Sequence, residues 1–353
     1  MMLLPAALVA GELLARLCFR LRFRLPFHSR RIAEDPFHLF VEEQPPPLYF
    51  RFKKGFQSPG LHINSLGLRG PEPAPKGTKR RLMFLGESNV FGPRLTDERR
   101  LWSNVLGELL SGDGHGDWEV LNAGFPGYNA GQLRAWWEAE LRGMEPEILI
   151  VSLGVNDISQ VGVLGDAWQP GAPWPQSFIR AQQRKSPWWR KCFASSALWF
   201  LWRRAALTAR RGFQVQGGVD LLRSAPYCLE QLRAIVSDAQ ARGIKVVMAN
   251  AHPVCSPSHS ALDERRLDSI QSNWREHNDV IGLAFLAWFA MYLAEAPLLG
   301  AATMDLATPF WKHPQRFSLY HDVLHLNARG HVVLAQVICD RLNALGWLGK
   351  PSA

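Results

Sequence analysis

The sequence predicts an α/β fold, with a central parallel sheet covered by helices on both faces. Three observations lead there. From about residue 81 onward, short apolar runs alternate with stretches of helical spacing. Enough chain separates the runs for a crossover helix, which parallel strands require. The polar residues of greatest chemical interest fall just after the runs, at the rim where such sheets bind ligands. The 353 residues suffice for one large domain or two small ones, and a hydrophobic content of 47% is that of a globular chain.

The elements follow in order. The chain opens with "MMLLPAALVAGELLARLCFRLRFRLPF", where Glu12 and Arg16 interrupt the apolar run. The run is shorter than the ~20 residues that span a bilayer. It also lacks the leading basic flank and the small-residue cleavage site of a secretory signal. Arg16 to Arg31 contains six arginines and no acid. Residues 1–31 are therefore a segment on an anionic membrane surface, apolar side down, or a degenerate signal anchor, or else a helix packed on the body of the protein. Residues 32–80 read as an irregular extension. "EEQPPPLYF" and "GPEPAPKGTKR" are proline-rich, and proline removes a ladder donor.

Residues 81–348 carry the regular pattern. "RLMFLG" is the first strand and "RRLWSNVLGELL" a helix. "DWEVLNAG" and "EPEILIVSLG" are the next strands, with helical "AGQLRAWWEAELRGM" between them. A helix from about Ser224 to Arg242 precedes the strand "GIKVVMAN". A weaker strand, "AATMDL", leads to the helix "NARGHVVLAQVICDRLNAL". Two stretches break the rhythm. Residues 160–220 form a long insertion with nine Lys/Arg and no acid between Gln176 and Arg211. It also holds Trp168, Trp174, Trp188, Trp189, Trp199 and Trp202. Three readings stay open for it: a lid with tryptophans as apolar platforms, a lipid-facing segment, or a solvated helical excursion. The uncharged "VIGLAFLAWFAMYLA" (residues 280–294) reads as a buried helix, being too short to span a bilayer comfortably.

The net charge of +9 makes anionic partners worth considering, but no nucleic-acid module is visible and none is expected as a partner. The five cysteines are scattered with no CxxC pair, which argues against a disulfide framework or a zinc site.

The chemistry concentrates in four short blocks. Ser88 ends the first strand in "FLGES", where it is either a helix cap or a nucleophile at the mouth of the sheet. Serine is hardly ionised at neutral pH and needs an adjacent base. "LYHDVLHLN" supplies one: Asp322 and His325 are three apart, a spacing that lets the carboxylate hold the imidazole. Acyl transfer also needs donors fixed around the oxyanion. The candidates are the N–H of Ser88, the N–H of Gly127 in "LNAGFPGYN" with Gly124 as its rival, and the amide of Asn156 in "SLGVND". Asp305 is a lesser rival to Asp322. His321, His325 and His331 raise a metal reading, but no third ligand or carboxylate is placed by the sequence.

In this order the blocks resemble the SGNH (GDSL-type) hydrolase family, over about residues 60–345 with 160–220 unaligned. The resemblance implies a flavodoxin-like three-layer α/β/α sandwich. It implies Ser88 as nucleophile, His325 as base, Asp322 as its orienter, and an oxyanion hole from Ser88, Gly127 and Asn156. It implies no cofactor and no metal. The family's usual Gly-Asp-Ser is here Gly-Glu-Ser, so Glu87 must be accommodated beside the nucleophile. "HINSLGLRG" resembles a segment of membrane-linked bacterial members, which favours the cell envelope or a membrane surface over the cytoplasm. The expected activity is a serine esterase on an O-acyl ester, O-acetyl among the candidates, carried by a carbohydrate or envelope component. Two alternatives stand: an O-acyltransferase with the same triad, and a non-catalytic membrane-associated binding protein on the same scaffold.

Overall fold

The structure is a computed structural model that describes residues 3–24, 41–95, 97–112, 115, 117–174, 193, 196–209, 220–258, 260–267 and 277–349. Its strands are β1 (Val41–Glu43), β2 (Phe50–Phe52), β3 (Gln57–Ser58), β4 (Leu61–His62), β5 (Arg80–Gly86), β6 (Trp118–Gly124), β7 (Ile148–Val151), β8 (Lys245–Ala249) and β9 (Ala302–Met304). Its helices are α1 (Leu3–Phe23), α2 (Ser88–Phe91), α3 (Trp102–Gly112), α4 (Ala130–Ala139), α5 (Val155–Leu164) and α6 (Ala197–Ala209). They continue with α7 (Ala225–Ala241), α8 (Ala261–Leu267), α9 (His277–Leu298), α10 (Ala307–Lys312) and α11 (Ala328–Ala344).

Strands β5 to β9 form one parallel sheet in the order β6-β5-β7-β8-β9. Counted from the first of them this is 2-1-3-4-5, the flavodoxin-like order. Side chains alternate across a strand, so both faces of a central strand must be covered. On β5, Met83 and Leu85 face a layer built from α4, α5, α7 and α9, while Leu82 and Phe84 face α3, α10 and α11. All four side chains are fully buried. Burying an aliphatic or aromatic side chain of this size contributes about 2 kcal/mol, which explains why these runs hold almost no polar residue.

Ahead of the sheet, the extension contains two small antiparallel pairs, β1 with β2 and β3 with β4. Strands of two or three residues lie below the length at which alternation can be read from sequence. Phe52 stacks on Phe125 with ring centroids 3.9 Å apart, tying the extension to the loop after β6. Arg69 is buried and donates to the carbonyls of Gly60, Phe91, Gly92 and Leu95. It thereby fixes the chain just beyond α2.

Of the N-terminal segment, residues 1–2 and 25–31 lie outside the described residues. Within α1, Ala15, Phe19 and Phe23 are buried at i, i+4 and i+8, packing on α6 through Phe200. Residues 160–164 of the expected insertion complete α5, and those at 175–192 and 210–219, including Trp188 and Trp189, lie outside the described residues. The uncharged stretch at 280–294 lies within α9. Trp288 and Tyr292 are buried and donate to the carbonyls of Leu153 and Val151, whereas Leu283 and Met291 face solvent. Among the described residues no helix is long and apolar enough to cross a membrane.

Candidate active site

Three neighbouring strands end together. Gly86 of β5 pairs with Gly124 of β6, and Leu85 pairs with Val151 of β7. Ser88, Gly127 and Asn156 lie just past those ends, so sheet register alone brings their loops to one rim. Each of the three is half-buried while most neighbours in its block are fully buried. Gly124 is required for a different reason: a Cβ there would collide with Phe91 N, so the backbone of α2 rests directly on it. Its N–H also donates to Asn122 Oδ1 at 3.0 Å and is not available to a ligand.

Gly127 has φ +86°, a conformation that favours glycine. Among the described residues its N–H and that of Ser88 have no partner. Asn156 Nδ2 donates to Tyr128 O at 2.8 Å, which fastens its amide to the Gly127 loop and leaves the second amide hydrogen to the rim.

His325 arrives from the far end of the chain. Asp322 Oδ1 accepts from the N–H groups of Leu324 and His325, at 3.0 and 2.9 Å, and this side-chain-to-backbone turn presents the imidazole. Asn327 then caps α11 by accepting from Arg329 and Gly330 N–H. His325 Nδ1 lies 2.8 Å from Asp322 Oδ2, and His325 Nε2 lies 2.8 Å from Ser88 Oγ. The structure thus brings Ser88, His325 and Asp322 together in one line. Both ring nitrogens of His325 are engaged, Nδ1 by Asp322 and Nε2 by Ser88. Among the described residues no group of His, Cys, Asp and Glu has the geometry of a metal site. Asp305 is elsewhere, accepting from Asn250 Nδ2 and the N–H groups of Ala307 and Thr308.

Two residues that sequence reasoning did not assign complete the site. Arg94 Nη1 donates to Asp322 Oδ2 at 2.7 Å. Burial alone would raise the Asp322 carboxyl, but the charges of His325 and Arg94, with hydrogen bonds from His325, hold it far below the usual carboxylate range. Glu87, noted only as an oversized neighbour of the serine, reaches across to the start of α5. It accepts from Gly154 N at 2.8 Å and Asn156 N at 2.9 Å. The longer side chain is therefore accommodated by capping the helix that carries Asn156. Burial, with the nearby Asp157 carboxylate, pushes Glu87 well above its ordinary range. Burial likewise lifts Asp157 to about 6, against hydrogen bonds including one from Ala130 N.

Such an arrangement can move a proton from a hydroxyl to an imidazole and hold negative charge on an oxygen beside it. The model of the GDSL-like lipase/acylhydrolase family matches residues 84–333. No curated protein matches the chain in sequence. Among solved structures, an acetyl xylan esterase is 14% identical, with a TM-score of 0.44 over 74% of this chain and 99% of that one. A catalytic mutant of an acetylxylan esterase from Geobacillus stearothermophilus is 14% identical, with a TM-score of 0.43 over 77% and 96%. A lipase/acylhydrolase from Enterococcus faecalis is 14% identical, with a TM-score of 0.39 over 78% and 99%. By the match to its family model the chain belongs to the GDSL-like lipase/acylhydrolase family, and it is a carboxylic ester hydrolase.

Proposed function

We propose that the protein is a serine esterase that removes a short acyl group, acetyl first among them, from a hydroxyl of a carbohydrate or other envelope component. The observation that carries this reading is the 2.8 Å contact between Ser88 Oγ and His325 Nε2, with Asp322 behind the ring. Ser88 attacks the ester carbonyl while His325 Nε2 takes its proton. Asp322 stays ionised and steadies the imidazolium. The oxyanion is held by the N–H groups of Ser88 and Gly127 and by the Asn156 amide. His325 then protonates the leaving alcohol, and water, deprotonated by the same nitrogen, releases the acyl group. Trp174 supports a short acyl group, since it is buried and a Cβ on Gly127 would lie only 3.8 Å from its ring. In this reading Trp174 is an apolar wall beside the oxyanion site. In this reading residues 81–348 form the hydrolase domain, and the extension at 32–80 braces its serine loop.

The test is the hydrolysis of aryl esters of increasing acyl length, followed by acetate release from O-acetylated polysaccharides. The acetyl ester should be cleaved fastest, and Ser88→Ala should lower the rate by ~10⁴-fold or more. A Ser88→Ala protein as active as the wild type would refute the reading. A preference for long acyl chains would keep the nucleophile and discard the short-acyl assignment.

A further inference from the structure

We propose that the outer faces of α1 and α6 form one surface that seats on an anionic lipid bilayer. The esterase reading is not needed for this, and the two can fail separately. α1 buries Ala15, Phe19 and Phe23 against the body. On the opposite side Leu13, Leu17 and Leu21 are 63%, 52% and 70% exposed, with Val9 and Leu14 beside them. Leucines at i, i+4 and i+8 make a continuous stripe along a helix. α6 extends the stripe with Leu198 and Trp202, both exposed, and Trp202 stacks on Trp199. The two helices touch closely, since a Cβ on Gly11 would sit 3.4 Å from Leu198 Cδ2. Tryptophan with leucine is a composition suited to the boundary between headgroups and acyl chains.

The charge on these helices selects the occupant. The one acid of α1 is Glu12, and α6 has none. Glu12 is turned inward: it accepts from Ala197 N at 2.9 Å and Leu198 N at 3.1 Å, capping α6, and from Ser196 Oγ. Burial opposes ionisation there, but those hydrogen bonds and Arg16 hold the carboxyl down to about 2. Among the described side chains of these helices and the residue after α1, Arg20, Arg22 and Arg24 are exposed at the end of the stripe. An apolar stripe with a basic end fits an anionic surface. A second copy of the same face would bring like charges together.

The surface is also joined to the catalytic rim. α8 lies beneath α1, with Arg266 Nε donating to Phe23 O at 3.3 Å. Asp263 of α8 pairs with Arg316 at 3.3 Å, and Arg316 donates to Ser256 Oγ at 3.0 Å. Two residues earlier, Val254 N donates to Val323 O at 2.9 Å, inside the loop of Asp322 and His325.

The test is flotation of the full chain with vesicles of phosphatidylcholine alone or mixed with phosphatidylglycerol. Binding is expected only to the mixed vesicles, weakening as salt rises. Replacing Leu13, Leu17 and Leu21 together by Glu should abolish it. Each basic side chain near such a surface strengthens binding about fivefold, so Arg20→Gln with Arg24→Gln should weaken it by ~30-fold. Both variants should keep the wild-type circular dichroism and melting temperature, since the replaced side chains face solvent. Failure of the wild type to bind mixed vesicles overturns the proposal. If such a protein is a dimer in ultracentrifugation and the triple Glu variant a monomer, the face is a self-interface instead. Equal binding to both vesicle types overturns the charge argument.

Discussion

The two flanks of the Ser88 loop bury carboxylates of opposite behaviour. On one flank, Asp322 is buried yet stays ionised, because Arg94 and His325 face it. On the other, Glu87 and Asp157 are also enclosed, but among the described residues neither has an ion-pair partner, and burial raises both. Hydrogen bonding does not separate the cases, since all three accept from backbone N–H groups. The neighbouring charge does. A relay partner of histidine must remain an anion, whereas a carboxyl that only caps a helix can carry a proton and still accept.

The largest expected effect breaks the ionised flank. Asp322→Asn should lower kcat by ~10⁴-fold with the fold intact, because an amide cannot steady the imidazolium. Equal kcat in wild type and variant, measured on an acetyl aryl ester, would remove Asp322 from the relay. Next comes the other flank. Glu87→Ala frees the start of α5 and with it the Asn156 amide, so kcat should fall by ~10²-fold with KM nearly unchanged. Glu87→Gln keeps one acceptor and should recover part of the loss. A change in KM alone would mean that Glu87 shapes substrate binding instead of placing Asn156.

Arg94→Met sharpens the comparison by removing the cation. Asp322 keeps its bonds from the turn and from His325, so kcat should fall only about tenfold. The last effect is on stability and leaves the rate aside. Asp157 titrates at about 6 in the folded protein against an ordinary 3.8. The folded chain therefore holds a proton that the unfolded chain has lost, and stability falls as pH rises between those values. Asp157→Asn should abolish that cost, raising stability by about 3 kcal/mol near pH 8 and by almost nothing near pH 3. Urea melts at the two pH values check it. A gain of the same size at both would tie the effect to packing, not charge.

What could be read from the sequence divides along similar lines. The main strands were legible because each is a compact apolar run, and Ser88 and Asn156 stood out by lying just past them. The Asp322–His325 spacing was legible because its geometry is local. Glu87 was seen but not understood, because Gly154 and Asn156 lie more than sixty residues away and only the parallel register of β5 with β7 brings them near. A carboxylate directly after a buried strand, with no basic neighbour, was the available signal. Arg94 gave none, since 228 positions separate it from Asp322. For α1 the amphipathic pattern was visible, but which side packs was decided by shape, with phenylalanines inward and leucines outward.

The most direct measurement is the mapping of a fluorophosphonate adduct by peptide mass spectrometry in the wild type, Ser88→Ala and Asp322→Asn. The reagent should add once, on the peptide that contains Ser88. It should fail to add to Ser88→Ala and react far more slowly with Asp322→Asn. An adduct on another residue, or undiminished labelling of Ser88→Ala, would contradict the assignment of Ser88 as the activated nucleophile.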